Sequence, residues 1–154
     1  MAEILTGQEL HMTNVLSLRV KGTQADMQRE MGRVGQFIQN EGLAVTGATV
    51  TTTFAVEGGI LDLELLIPLD KSFVPPDGCT CKPEFRLVNA ASIRHIGSPA
   101  GLQRSCDELV AHIQRRDLTA ITNGYNKTVK DAKNPDELDD MIVDIYIGIS
   151  PNVL

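Results

Sequence analysis

Four charged residues recur in pairs along the chain. Arg19 and Arg94 both follow a serine and a hydrophobic residue, and Glu64 and Asp144 both lie between aliphatic residues. Around Glu64, Leu61, Leu63, Leu65, Ile67 and Leu69 alternate with Asp62, Glu64 and Leu66; around Asp144, Val143, Ile145, Ile147 and Ile149 alternate with Asp144 and Tyr146. Strand side chains point to opposite faces in turn, so the aliphatic set faces a core and the acids face away from it. The same rule sends Ser17, Arg19, Ser92 and Arg94 to that face. A carboxylate in a partly apolar cleft can bind an organic cation, or can serve as a general acid or base where burial raises its pKa. The candidate ligand-binding set is therefore Glu64 and Asp144 for charge, Arg19 and Arg94 to orient them, and Tyr146, Tyr125 and Phe54 for apolar contact. An open sheet face on which Arg19 and Arg94 pair with Glu64, Asp62 or Asp144 explains the same residues, at about 0.2–1 kcal/mol per pair. Residue types alone leave both open.

The elements that position these residues repeat. Shifted by 75, residues 16–43 lie on residues 91–118 without a gap, and nine of the 28 positions are identical, Arg19/Arg94 and Gly22/Gly97 among them. Met27, Met31, Val34 and Ile38 step by 4, 3 and 4, one face of a helix; Leu102, Cys106, Leu109 and Ile113 step alike. Thr23 with Asp26 reads as a capping box, and Ser98-Pro99 as N-cap and first helical residue. Gly42 suits the left-handed residue that ends the first helix, and Arg115 and Arg116 suit the negative end of the second. Strands are expected before each helix (residues 15–20 and 90–96), after each (45–55 and 119–129) and closing each copy (61–69 and 143–149). Asn123-Gly124 marks a turn or bulge in the fifth of these. The unit is βαββ, present twice: copy one at about 14–69, a Pro/Gly-punctuated connector at about 70–85, and copy two at about 86–150, with a polar insertion over 130–140. The expected fold class is α+β, duplicated βαββ units forming one antiparallel sheet with two helices on one face and a cleft on the other, all one domain over 1–154.

Composition bounds the rest. Net charge is −6, from 14 basic and 20 acidic residues, which opposes direct binding of nucleic acid. No apolar run reaches a membrane span, the first seven residues lack a signal peptide's basic start, and three cysteines suit a reducing cytosol, so the expected location is cytoplasmic. Cys79-x-Cys81 has no second ligand pair at zinc spacing, so no metal is expected; it reads as a loop thiol pair open to oxidation. Cys106, on the core stripe, reads as packing. His95 reads as a half-buried strand histidine with both ring nitrogens satisfied. Gly32 and Gly35 inside the first helix are expected where it packs closely on a neighbour. No phosphate-binding loop occurs, so no nucleotide or other cofactor is expected.

The βαββ order taken twice, with Ser92-Ile93-Arg94-His95-Ile96-Gly97 before a helix and Ile142-Val143-Asp144-Ile145-Tyr146-Ile147 at the close, resembles the GyrI-like small-molecule-binding superfamily over about residues 14–150. Its members include effector-binding domains of multidrug-responsive regulators, standalone gyrase-modulating proteins and hydrolases of cyclopropane-containing DNA-alkylating toxins. The resemblance implies a ligand-contacting acid in the last strand at Asp144, with Glu64 its counterpart. Such pockets carry Trp and Tyr; this chain has no Trp, two Tyr and four Phe. Residues 12–17 and 147–150 look like a standalone Gram-positive subgroup, some of whose members are encoded near secretion or toxin genes. The expected function is a standalone domain binding a small, cationic organic molecule. Its alternatives are an interaction surface for a protein partner or homodimer, and a hydrolase using one acid as general base; no catalytic residue is singled out.

Overall fold

The computed structural model describes residues 3–131 and 134–150; both chain ends and part of the polar insertion lie outside these. The chain is α+β, with six antiparallel-paired strands and two α-helices among the described residues. It gathers into two compact units, Met12–Phe85 on the one hand and Met1–His11 with Arg86–Leu154 on the other.

The Met12–Phe85 unit takes the later part of β1 (Ile4–Gly22), then α1 (Gln24–Asn40), β2 (Val50–Glu57), β3 (Ile60–Pro68) and the opening residues of β4 (Cys79–Ile96). β3 is central, antiparallel to β1 on one side and β2 on the other. α1 starts at the expected capping box: the Thr23 hydroxyl accepts from the Asp26 N–H, and the Asp26 carboxylate accepts from the Thr23 N–H at 2.9 Å. That backbone donor, with Arg29, holds the Asp26 carboxyl below the usual range. Gly42, at φ 63°, ends the helix as expected. Leu16, Leu18 and Val20 of β1, Leu65 and Ile67 of β3 and Met27 and Val34 of α1 form one buried cluster. Each such side chain contributes about 1.5–3 kcal/mol on burial.

Two expectations about α1 need correcting. Met31 is 54% exposed and does not belong to the core stripe; Met27 and Val34, two turns apart, are buried, and Phe37 and Ile38 pack against the same cluster. Gly32 and Gly35 are exposed, and an added methyl at either meets nothing within 4 Å, so close packing does not explain them. What remains is their conformational entropy, a pure cost in a helix interior. Gly32→Ala and Gly35→Ala are each expected to stabilise the fold by about 0.5–1 kcal/mol, read as a higher denaturant midpoint at unchanged slope. A lower midpoint would mean that something does occupy the space beside them.

The second unit contains the start of β1, β4 from Arg86 onward, α2 (Leu102–Arg115), β5 (Ala120–Lys130) and β6 (Ile142–Ile149). Here β6 is central, antiparallel to β4 and β5. A 3₁₀ turn, Pro99–Gly101, leads into α2, and the Ser98 hydroxyl accepts from the Ala100 N–H at 3.3 Å. Leu109 and Ile113 bury against Ile93, Val143, Ile145 and Ile147, with Leu102 and Cys106 partly buried beside them. Asp117, 75 residues after Gly42, ends α2 at φ 55° with the same pair of backbone bonds: its N–H donates to Gln114 and the Leu118 N–H to Ile113, as those of Gly42 and Leu43 do to Gln39 and Ile38.

Several boundaries differ from the pattern reading. β1 begins at Ile4, about ten residues early. Val45 makes only an isolated bridge to Leu69, and β2 starts at Val50. The second half of the expected connector is strand, because β4 already begins at Cys79; Pro83 lies within it. Proline, lacking an N–H, is tolerated in a strand where the neighbour needs no donor. Register shifts between Ala120 and Gly124, where Asn123-Gly124 marked a bulge. The insertion contains a 3₁₀ helix, Pro135–Asp140.

Candidate functional site

In each unit the helix packs on one face of two paired strands, α1 on β1 and β3 and α2 on β4 and β6, and strand parity puts the predicted side chains on the other. In the Met12–Phe85 unit, Arg19 lies opposite Glu64 on β1–β3, and Thr52 lies opposite Glu64 on β2–β3. This helix-free face grades along the strands. Val15, Leu66 and Val50 are fully buried; Ser17 and Thr52 are polar and buried; Arg19 and Phe54 are exposed.

Arg19 does not orient Glu64. Its guanidinium forks onto Asp62, diagonal to it across the ladder, with Nε and Nη2 donating at 2.7 and 3.0 Å. These bonds hold the Asp62 carboxyl below the usual range. Phe54 falls where the β2–β3 register slips between Thr53 and Ala55, and the bulge sets its ring beneath the guanidinium, 3.8 Å from ring centroid to the Arg19 carbon.

Glu64 is held instead by Ser17 and Lys82. The Ser17 hydroxyl and the Lys82 ammonium, at 3.0 Å, both donate to the same oxygen, Oε2. The Glu64 side chain is 15% exposed and that of Lys82 37%. Among the described residues, the other oxygen, Oε1, has no hydrogen-bond donor. Across the strand the Thr52 hydroxyl, in a residue only 1% exposed, has no partner either. Sequence reasoning missed Lys82 because it placed residues 70–85 in a connector. It could have found Thr52 from the threonine run of residues 51–53, had the β2–β3 register been known.

In the second unit Arg94, Asp144 and Lys127 lie in one cross-strand row, and Ser92, Tyr146 and Tyr125 in the next. Here the arginine pairs with the central acid directly. Arg94 Nε and Nη2 donate to the two Asp144 oxygens at 2.8 and 2.9 Å, so neither oxygen lacks a donor. Burial, then the Asp144 charge, pushes the Tyr146 phenol up, which keeps it a protonated donor. Of the predicted residues the structure thus groups Arg19, Glu64 and Phe54 in one unit and Arg94, Asp144, Tyr146 and Tyr125 in the other. Both central acids carry a cationic partner, an arrangement unlike the unpaired acid that general-base hydrolysis needs.

The remaining motifs are occupied by structure. His95 Nε2 donates to the Ser98 carbonyl at 2.8 Å, and in the neutral ring Nδ1 accepts from the Ser105 hydroxyl at 2.8 Å. Cys79 and Cys81 open strand β4 rather than sitting in a loop, and burial raises the Cys79 thiol, disfavouring the reactive thiolate. Burial likewise raises Cys106. Among the described residues no group of His, Cys, Asp and Glu could hold a metal, and no helix is long and apolar enough to cross a membrane.

No family model matches the chain, and no curated protein does. Solved structures do. The crystal structure of the EcmrR C-terminal domain superposes with a TM-score of 0.79 at 12% identity, covering 97% of this chain and 98% of that one. EcmrR in its cryo-EM complex with DNA gives 0.77 at 13% identity over 97% of this chain. This chain spans only 57% of that protein. A hydrolase from Listeria innocua gives 0.60 at 13%, covering 97% and 91%. At these identities the likeness establishes the fold alone.

Proposed function

We propose that this chain binds a small organic cation on the helix-free face of its Met12–Phe85 unit, with Glu64 as the counter-charge. One observation carries the reading: Glu64 is a largely buried carboxylate that, among the described residues, has one cation at salt-bridge distance, the partly exposed Lys82, and no donor to its second oxygen. A cation can take the place of the Lys82 ammonium, because one flexible side chain is all that must move. The Phe54 ring and the buried aliphatic end of the face supply apolar contact. Asp144, by contrast, has both oxygens forked onto Arg94, so in this reading Asp144 and Arg94 brace their own unit, with Tyr146 and Tyr125 beside them. The fold shared with the EcmrR C-terminal domain supports small-molecule binding in general and leaves the ligand open. A cleft opposite the helices, and descent of both units from one copied module, belong to the same proposal; the latter rests on the nine identities in 28 positions.

Titration of a panel of lipophilic quaternary ammonium and phosphonium ions, followed by thermal shift and calorimetry, tests this. Wild type should bind at least one of them, Glu64→Gln should lose roughly tenfold or more in affinity, and Asp144→Asn should change it little. Equal binding by wild type and Glu64→Gln would overturn the assignment.

A further inference from the structure

The unit built from Met1–His11 and Arg86–Leu154 holds a cavity of about 540 Å³ that shares no residue with the Glu64 cluster. Its size falls in the range of small-molecule sites. Ile149, Leu118 and Ile4 supply an apolar wall, and all three belong to or pack against this unit's buried cluster. Thr6, Asn89 and Ser150 add polar groups, and Gly7, at φ 66°, turns the β1 backbone beside them.

Arg116 and His112, one turn apart at the end of α2, both line the cavity, and among the described residues no Asp or Glu does. Arg19, Arg29, Arg33, Arg86 and Arg94 each hold a carboxylate at salt-bridge distance, whereas Arg104, Arg115 and Arg116 do not among the described residues, and of these three only Arg116 lines the cavity. Arg116 forms no ion pair among the described residues, and its side chain plays no part in ending the helix, where only its backbone N–H is used. The left-handed Asp117 that follows turns Leu118 back onto the core and so fixes where the Arg116 side chain emerges. A guanidinium beside an apolar recess, with a histidine and neutral hydrogen-bonding groups around it, is complementary to a small amphipathic anion.

We propose that this cavity is a second ligand site, specific for an apolar monoanion whose carboxylate or sulfonate pairs with Arg116 while its hydrocarbon body lies against Ile4, Leu118 and Ile149. The assignment is independent of the Glu64 site. It separates the two chemistries by unit: cations at an acid, anions at an arginine.

The probe is 8-anilino-1-naphthalenesulfonate, with the uncharged N-phenyl-1-naphthylamine as its apolar match. The sulfonate should bind the native chain at one equivalent, with a fluorescence rise reversed by sodium decanoate. Arg116→Gln should weaken it roughly tenfold or more and Arg116→Lys much less, while leaving the uncharged probe unaffected. Amide chemical shifts of Thr6, Gly7, Asn89, Ile149 and Ser150 should move on titration. Unaltered sulfonate affinity in Arg116→Gln, equal loss of both probes, or shifts confined to other residues would overturn the site. An unchanged near-ultraviolet circular dichroism spectrum in each variant excludes loss of folding as the cause. Glu64→Gln, which should weaken cation binding roughly tenfold or more, should leave sulfonate binding intact, so each site fails or stands separately.

Discussion

Replacing Lys82 with methionine should tighten the binding of an organic cation about three- to tenfold. The lysine is the ligand's internal competitor. Its ammonium lies 3.0 Å from Glu64 Oε2, and any incoming cation must displace it or share the carboxylate with it. Exposed ion pairs contribute little, but here the carboxylate is mostly buried and the lysine only partly exposed, which places the pair toward the upper end of that range. Methionine keeps the length and apolar stem of the side chain while removing the charge. Without the cation, Glu64 is left with Ser17 as its one donor. The ligand-free variant should therefore melt lower than wild type, and saturating ligand should recover most of the difference, since binding to the native state alone stabilises by mass action. Calorimetric titration of the tightest cation into wild type and Lys82→Met is the measurement. A variant that binds the cation no more tightly, or more weakly, would mean that the lysine does not compete with it and would overturn displacement of Lys82 as the mode of binding.

Thr52→Val should make the ligand-free protein more stable by about 1–2 kcal/mol and at the same time weaken its binding of the ligand. A hydroxyl sealed from solvent without a partner keeps its desolvation penalty, of order 1–3 kcal/mol, and valine removes it at nearly the same volume. Valine also suits a strand. The hydroxyl lies on the same cross-strand row as Glu64, so a ligand group that reaches the carboxylate is well placed to satisfy it. Stability raised at the expense of binding is the usual signature of a functional site that retains an unfavourable group. Denaturant unfolding and ligand titration of the same variant decide the matter. A lower midpoint would show that Thr52 is satisfied in solution, and a higher midpoint with unchanged affinity would remove it from the site.

Much of the architecture could be read from residue order. The alternation around Glu64 and Asp144, the Thr23–Asp26 box and the left-handed Gly42 are local signals, complete within a few residues, and each is found where the pattern put it. The face on which Arg19, Glu64, Arg94 and Asp144 stand follows from strand parity alone. Which acid each arginine takes does not. Parity permits Arg19 to reach Glu64 directly or Asp62 diagonally, and the choice of Asp62 depends on side-chain geometry at the ladder and on the Phe54 ring that the bulge sets below it. Lys82 was hidden for a related reason. Pro75, Pro76, Gly78 and Pro83 punctuate the segment like a connector, and only pairing with other strands, remote in sequence, makes residues 79–85 a strand. Likewise, no spacing distinguishes an arginine with an acid partner from one without, and Arg116 beside its cavity is defined by what the folded chain brings near it. By itself, then, the sequence determined the elements, their faces and the types of side chain each face presents, because those follow from periodicity within one segment. Only tertiary structure decided the partners, since pairing charges across strands far apart in the chain is settled by register, bulges and burial, none of which any single segment contains.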